Sequence, residues 1–269
     1  MGAIFSGSMT DKLAEKLQFF MVKSNNTVQD NQKSYEHCIK ADALRIQNYF
    51  SESIEEYKKA LAFDEQNFDA YKGIGLSYKK TGHINKAIEA FIKAKALSPF
   101  DKTIYYEIGC CYSQARKFNK ALINFRRAIK IDPDFLDAQL NLGVTHELNC
   151  EFDLAIKIYQ KIIEKTPSFL AAYNNLAGLY MRLGMLDLSI KTFKEIIYLN
   201  PDYSRAYLGI GISFDKMGYE RQAIRYYKKY IELKPNSANI LHIKQRLDDL
   251  RQGKKICKNS HLKLVSQNI

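Results

Sequence analysis

Large apolar, small and aromatic residues recur along this chain at helical spacings, and the whole pattern restarts every 34 residues. The punctuation is as regular as the filling: Pro99, Pro133, Pro167, Pro201 and Pro235 are all the prolines present, each 34 residues after the last. With the proline taken as position 32, units start at Phe68, Lys102, Leu136, Leu170 and Ser204. Position 4 then holds Tyr71, Tyr105, Gln139, Tyr173 and Tyr207, and position 7 holds Ile74, Ile108, Leu142, Leu176 and Ile210. Position 8 is small (Gly75, Gly109, Gly143, Ala177, Gly211) and position 20 nearly always Ala, while position 24 is aromatic (Phe91, Phe125, Tyr159, Phe193, Tyr227). A weaker unit starts at Ser34, keeping Ala41, Tyr57 and Ala60 in register but Glu65 in place of proline.

Each unit is expected to be two helices joined by a tight turn. Gly82, Gly184 and Gly218 fall at position 15, where a helix C-terminus favours a residue free to take positive φ, and the prolines stop the second helix. Small residues at positions 8 and 20 let the helices approach, and the aromatics fill the space between. One such hairpin buries too little apolar surface to offset the entropy of ordering it, so neighbours must stack. The pattern predicts an all-α solenoid of about six 34-residue units over residues 34–237, the first (34–67) degenerate, followed by units at 68–101, 102–135, 136–169, 170–203 and 204–237. Ile240, Ile243, Leu247 and Leu250 predict a capping helix over 238–250. Leu13, Leu17, Phe20 and Met21 predict a short amphipathic helix ahead of a polar linker ending at residue 33, and residues 251–269, with five Lys or Arg and no acid, predict a disordered basic tail.

These residues resemble the tetratricopeptide repeat. The match runs over five units from Phe68 to Ser237 and more weakly over the unit from Ser34. The resemblance implies a right-handed α-solenoid of antiparallel helix pairs, and a non-enzymatic adaptor whose first helices line a concave groove for an extended protein or peptide ligand. On those helices positions 4, 7, 8 and 11 share one face, and positions 2, 5, 6, 9, 12 and 13 the opposite one. The second face carries seven bases and six acids, so the net charge of +12 is not concentrated there. Asn141 and Asn175, both at position 6, can match the N–H and C=O of an extended backbone, or can simply tolerate a solvated helix face. With Lys72, Lys79, Tyr106, Arg182 and Arg205 they form the candidate peptide site, which favours an acidic or mixed ligand. The carboxylate clamp of co-chaperones in this family is not matched: Lys72 fits, but Leu76, Glu107, Asp137 and Asn141 stand at its other positions.

Charge and composition add alternatives. Lys58, Lys59, Lys93, Arg126, Arg127, Lys161, Lys194, Lys228 and Lys229 occupy positions 25 and 26 and form a basic stripe away from the groove, where nucleic acid or an anionic membrane could bind. Similar arrays also precede enzymes such as peptide glycosyltransferases, so a recruiting subunit for a separate enzyme is a further reading. No catalytic, cofactor-binding or metal-ligating constellation is recognisable. Gly73-Ile-Gly75 and Gly209-Ile-Gly211 lie within helices and lack a third glycine, the five histidines form no motif, and five cysteines without a CxxC pair are expected to be reduced small hydrophobes. Without a secretory signal or an apolar run of membrane-spanning length, the expected location is the cytoplasm. Met1-Gly2-Ala3-Ile4-Phe5-Ser6 satisfies the minimal myristoylation pattern.

Overall fold

The computed structural model describes residues 28–252, and among them it contains thirteen α-helices and no strand. The expected amphipathic helix before residue 23, nearly all of the basic tail and the Gly2 pattern lie outside the described residues. Two compact units divide the chain, Met1–Pro133 and Asp134–Ile269. In the first, α1 (28–46) pairs with α2 (Phe50–Phe63), α3 (Phe68–Lys80) with α4 (Ile84–Leu97) and α5 (Lys102–Gln114) with α6 (Phe118–Ile131). In the second, α7 (Leu136–Leu148) pairs with α8 (Phe152–Lys165), α9 (Leu170–Arg182) with α10 (Leu186–Leu199) and α11 (Ser204–Lys216) with α12 (Glu220–Leu233), before α13 (Ile240–Arg251). Within each unit the second helix of one pair packs against the first helix of the next, so the chain is an all-α solenoid of antiparallel hairpins. One sequence assignment needs correcting. Residues 28–33, placed in a linker, are helical and continuous with the first hairpin.

The position-24 aromatics form the spine of each hairpin. Tyr57, Phe91, Phe125, Tyr159, Phe193 and Tyr227 are all 0 to 1% exposed. The small residues exist for them: a Cβ on Gly75 or Gly143 would lie 2.5 Å from the ring of Phe91 or Tyr159 in the same hairpin. Gly73 and Gly209, at position 6, make the corresponding room for Tyr57 and Phe193 of the preceding hairpin. These glycine pairs are therefore packing contacts, as expected once they were placed inside helices.

Three-residue turns join the helices, and all take one backbone form. The residues with positive φ are Asn48, Gly82, Arg116, Cys150, Gly184 and Gly218, every one of them position 15. Sequence reading found the three glycines; Asn48, Arg116 and Cys150 hold the same left-handed conformation at φ 66°, 57° and 61°. Helix starts are closed where the sequence provides an acceptor. Asn67 accepts from the Ala70 amide at 2.9 Å, and Asp101 accepts from the Thr103 and Ile104 amides at 2.7 and 3.1 Å. Each second helix from α4 to α12 ends two residues before its proline.

The capping helix begins at Ile240, because Ala238 and Asn239 form a turn, and it buries Ile243, Leu247 and Leu250 against Leu208, Ile212, Tyr227 and Tyr230.

Candidate functional site

From α3 onward the first helices turn positions 4, 7, 8 and 11 into the hairpins, and positions 2, 5, 6, 9, 12 and 13 form the opposite face, which on α11 is covered by α13 at Leu208, Ile212 and Asp215. How polar that face is depends on what position 24 carries. Where it is tyrosine, an acid on the first helix accepts the phenol proton, from position 9 in the first hairpin and from position 12 in the two later ones: Tyr57 donates to Asp42 at 2.8 Å, Tyr159 to Glu147 at 3.2 Å and Tyr227 to Asp215 at 3.0 Å. Where position 24 is Phe91, Phe125 or Phe193, position 12 is Lys79, Ser113 or Met181. Each of the three acids also receives an arginine. Asp42 pairs with Arg45 at 2.6 Å, Glu147 with Arg182, and Asp215 with Arg246 of α13 through two bonds of 2.8 and 2.9 Å. Burial and the negative charge of Asp215 push the Tyr227 hydroxyl far above the ordinary phenol value.

In the first unit Lys72, Lys79 and Tyr106 stand on this face. The Lys72 ammonium lies 5.6 Å from the centre of the Phe68 ring. Lys79 donates to Glu107 at 2.6 Å; burial opposes its charge, but that bond and the carboxylate's field outweigh it and hold its pKa above the ordinary lysine value. Tyr106 rests its ring against Phe125, centroids 6.0 Å apart, and is half-buried.

In the second unit, Asn175 and Arg182 are brought together on the wall of a small cavity of about 130 Å³, with Val144, Glu147, Asn174 and Gly178. Glu147 is the centre of its polar wall. Burial raises its pKa more than Arg182 and the Tyr159 hydroxyl lower it. The Asn175 side chain also hydrogen-bonds the Tyr159 hydroxyl, so this asparagine is part of the same cluster. Asn141 lies one repeat earlier and donates its amide to the Asp137 carbonyl at 2.9 Å, one turn back on α7. Arg205 faces a separate recess of about 360 Å³ with Leu208, Tyr230 and Lys234.

Sequence reasoning missed the two residues that shape the cavity. Gly178 sits at position 9, and a Cβ built there would meet nothing within 4 Å, which leaves a notch in the face of α9. Glu147 was counted only as a charge, although it organises Arg182, Tyr159 and, through the phenol, Asn175. The signal for both was present in the register: a glycine at position 9 in place of a larger side chain, and an acid at position 12 beneath a tyrosine.

Cys38 and Cys111 are buried, and burial raises their thiols to about 11 and about 12, so both are neutral and inert at ordinary pH. Cys150 is also a free thiol, and it is exposed on the turn after α7. Among the described residues no group of three or more His, Cys, Asp or Glu side chains could hold a metal ion. No helix among them is long and apolar enough to cross a membrane.

Family models for the tetratricopeptide repeat match residues 41–82, 68–101, 103–135, 170–203 and 204–237. The chain belongs to the tetratricopeptide repeat family. Among solved structures, this tetratricopeptide repeat protein is similar to PilW, described as a widely conserved type IV pilus biogenesis factor, with a TM-score of 0.67, 21% identity and coverage of 79% of this chain and 99% of that one. A tetratricopeptide repeat protein from Parabacteroides merdae matches with a TM-score of 0.61 and 17% identity over 91% of this chain and all of its own. YrrB, described as a tetratricopeptide repeat protein with an unusual peptide-binding site, matches with a TM-score of 0.51 and 20% identity over 70% and 97% of the two chains. At these identities the likeness is one of fold. No curated protein matches this chain.

Proposed function

We propose that this protein is a non-enzymatic adaptor that holds an extended segment of a partner protein against the first-helix face of its second unit. One observation carries the reading: the notch over Gly178 is walled by Asn175 and Arg182, which donate, and Glu147, which accepts. An extended peptide presents donors and acceptors in alternation, so a wall of mixed character suits it better than a wall of one kind. Family membership supports a protein-binding role, and YrrB is a relative in fold with a peptide site of its own.

The charge pattern refines the ligand. Arg182 is neutralised in place by Glu147, Lys79 by Glu107 and Arg45 by Asp42, which leaves Arg205 and Lys216 in the second unit and Lys72 and Lys80 in the first as exposed or half-buried cations on this face. A ligand carboxylate therefore gains most beside Arg205, and must displace Glu147 to reach Arg182.

The test is calorimetric titration of a partner peptide, recovered by pull-down, into three proteins. Gly178→Ala fills the notch while improving helix propensity by about 1 kcal/mol, so it should bind at least fivefold more weakly and melt higher than the parent. Asn141→Ala with Asn175→Ala should lose about tenfold to a hundredfold, at roughly 0.5 to 1.5 kcal/mol per hydrogen bond. Unchanged affinity in both variants would place the partner elsewhere.

A further inference from the structure

A second recess of the second unit is not on the first-helix face at all. It lies on the other side, in the crease between α10 and α12 where α11 forms the floor, and encloses about 680 Å³. Its apolar surface comes from Ile197, Ile224, Tyr207 and Tyr226. Tyr226 is backed by Phe214, the rings nearly parallel with centroids 5.7 Å apart, and Tyr207 lies 6.3 Å from Tyr226. Around this surface stand Lys194, Arg221, Arg225, Lys228 and Lys229 with one acid, Glu232, which Lys229 already engages at 2.7 Å.

The fold alone does not require this charge, and the molecule contains its own control. The crease one hairpin earlier shares six of its ten lining positions with this one and encloses about 340 Å³. There Gln160, Thr192 and Glu195 stand where this crease has Lys194, Tyr226 and Lys229, each 34 residues later. The earlier crease has one cation, Lys191, and two acids, Glu164 and Glu195. Equivalent backbone thus supports an acidic crease in one hairpin and a strongly basic, aromatic one in the next.

From this contrast we infer that the crease formed by α10, α11 and α12 is a binding site for single-stranded nucleic acid, which sets phosphates among the cations and a base against Tyr207 and Tyr226. The donor and acceptor inventory favours that ligand over a peptide. Lysine and arginine only donate, the Tyr207 hydroxyl donates to the Pro201 carbonyl at 2.9 Å, and Glu232 is occupied, so the crease calls for a ligand that accepts. A phosphodiester brings acceptors only, whereas a peptide backbone brings N–H groups for which the crease offers only Glu232 and the two tyrosine hydroxyls against five cationic donors. A cationic groove with aromatic rings is also the arrangement that holds single strands without reading their sequence. The chain's pI of about 9.3 supplies the long-range attraction.

The experiment is fluorescence anisotropy with a labelled oligothymidine and the full chain over a range of salt. Arg221→Gln with Arg225→Gln and Lys228→Gln removes three exposed charges from the crease and should not change the melting temperature. At about 0.15 M salt its affinity should fall at least tenfold, and the slope of log K against log salt should flatten by about 2. Two triples remove the same charge elsewhere: Lys157→Gln, Lys161→Gln and Lys244→Gln on α8 and α13, and Lys254→Gln, Lys255→Gln and Lys258→Gln beyond α13. Each should stay within threefold of the parent. An abasic oligomer with the same phosphates should bind several-fold more weakly than oligothymidine. Equal losses in all three triples, no loss in the crease triple, equal binding of the abasic oligomer, or tighter binding of an acidic phosphopeptide would each overturn the assignment.

Discussion

Arg116 and Cys150 each hold a backbone conformation that costs a side chain with a Cβ roughly 1 kcal/mol or more, because position 15 must turn the chain left-handed before the second helix can start. Cys150 is exposed, so replacing it removes no core contact. Cys150→Gly should therefore gain about 0.5 to 1 kcal/mol, net of the extra freedom glycine adds to the unfolded chain, and raise the melting temperature by about 1 to 3 °C in a scanning calorimeter. Asn48→Gly should be nearly neutral, since asparagine tolerates this conformation. At this scale the sequence was legible where residue identity reports backbone need, as at Gly82, and silent where the fold imposes the need on an arginine or a cysteine. The coupling of Tyr159 and Tyr227 to acids at position 12, and of Tyr57 to an acid at position 9, was likewise written in the sequence. It is recognisable only once the two positions are known to touch, because twelve to fifteen residues separate the partners.

The first and last elements are each held by a buried carboxylate. Glu56 of α2, 6% exposed, receives Lys59 at 2.8 Å, His37 at 2.8 Å and Lys40 at 3.0 Å, and these bonds lower its pKa to about 2. The unfolded value is about 4.3, so the clasp contributes fully above about pH 4.5 and is lost as pH falls towards 2. Urea unfolding should show Glu56→Gln weaker than the parent by about 2 kcal/mol at pH 7, with the gap closing at pH 2.5; a gap independent of pH would contradict the clasp. At the other end Arg246 grips Asp215, which is 4% exposed. Arg246→Met leaves that charge buried with only the Tyr227 hydroxyl, and should cost about 3 kcal/mol and loosen α13, read as faster amide exchange at Ile243 and Leu247. The helices themselves were legible because apolar periodicity and prolines mark them directly. The first hairpin was only faintly so, since it keeps Ala41, Tyr57 and Ala60 in its core but has Glu65 where the later units have proline and the exposed Lys40 at position 7.

Across the whole molecule, two kinds of surface share one set of helices. First helices present a face of nearly balanced charge with a mixed polar notch, and second helices present the cationic crease of the second unit. The family was readable from positions 4, 7, 8, 20 and 24 and from the prolines. The notch was not, because it depends on Gly178 leaving space and on Glu147 already claiming Arg182. The basic stripe was legible as a line of charge, but its concentration around Tyr207 and Tyr226 follows from how α10 and α12 flank α11. The central claim is that peptide binds the first-helix face of the second unit. A peptide selected from a displayed library against the full chain, titrated into nitrogen-15-labelled protein, tests it most directly through amide shift changes in a heteronuclear correlation spectrum. The changes should cluster on α7 and α9, centred on Asn175, Gly178 and Arg182. Changes confined to α8, α10 and α12, with those three residues unmoved, would contradict it.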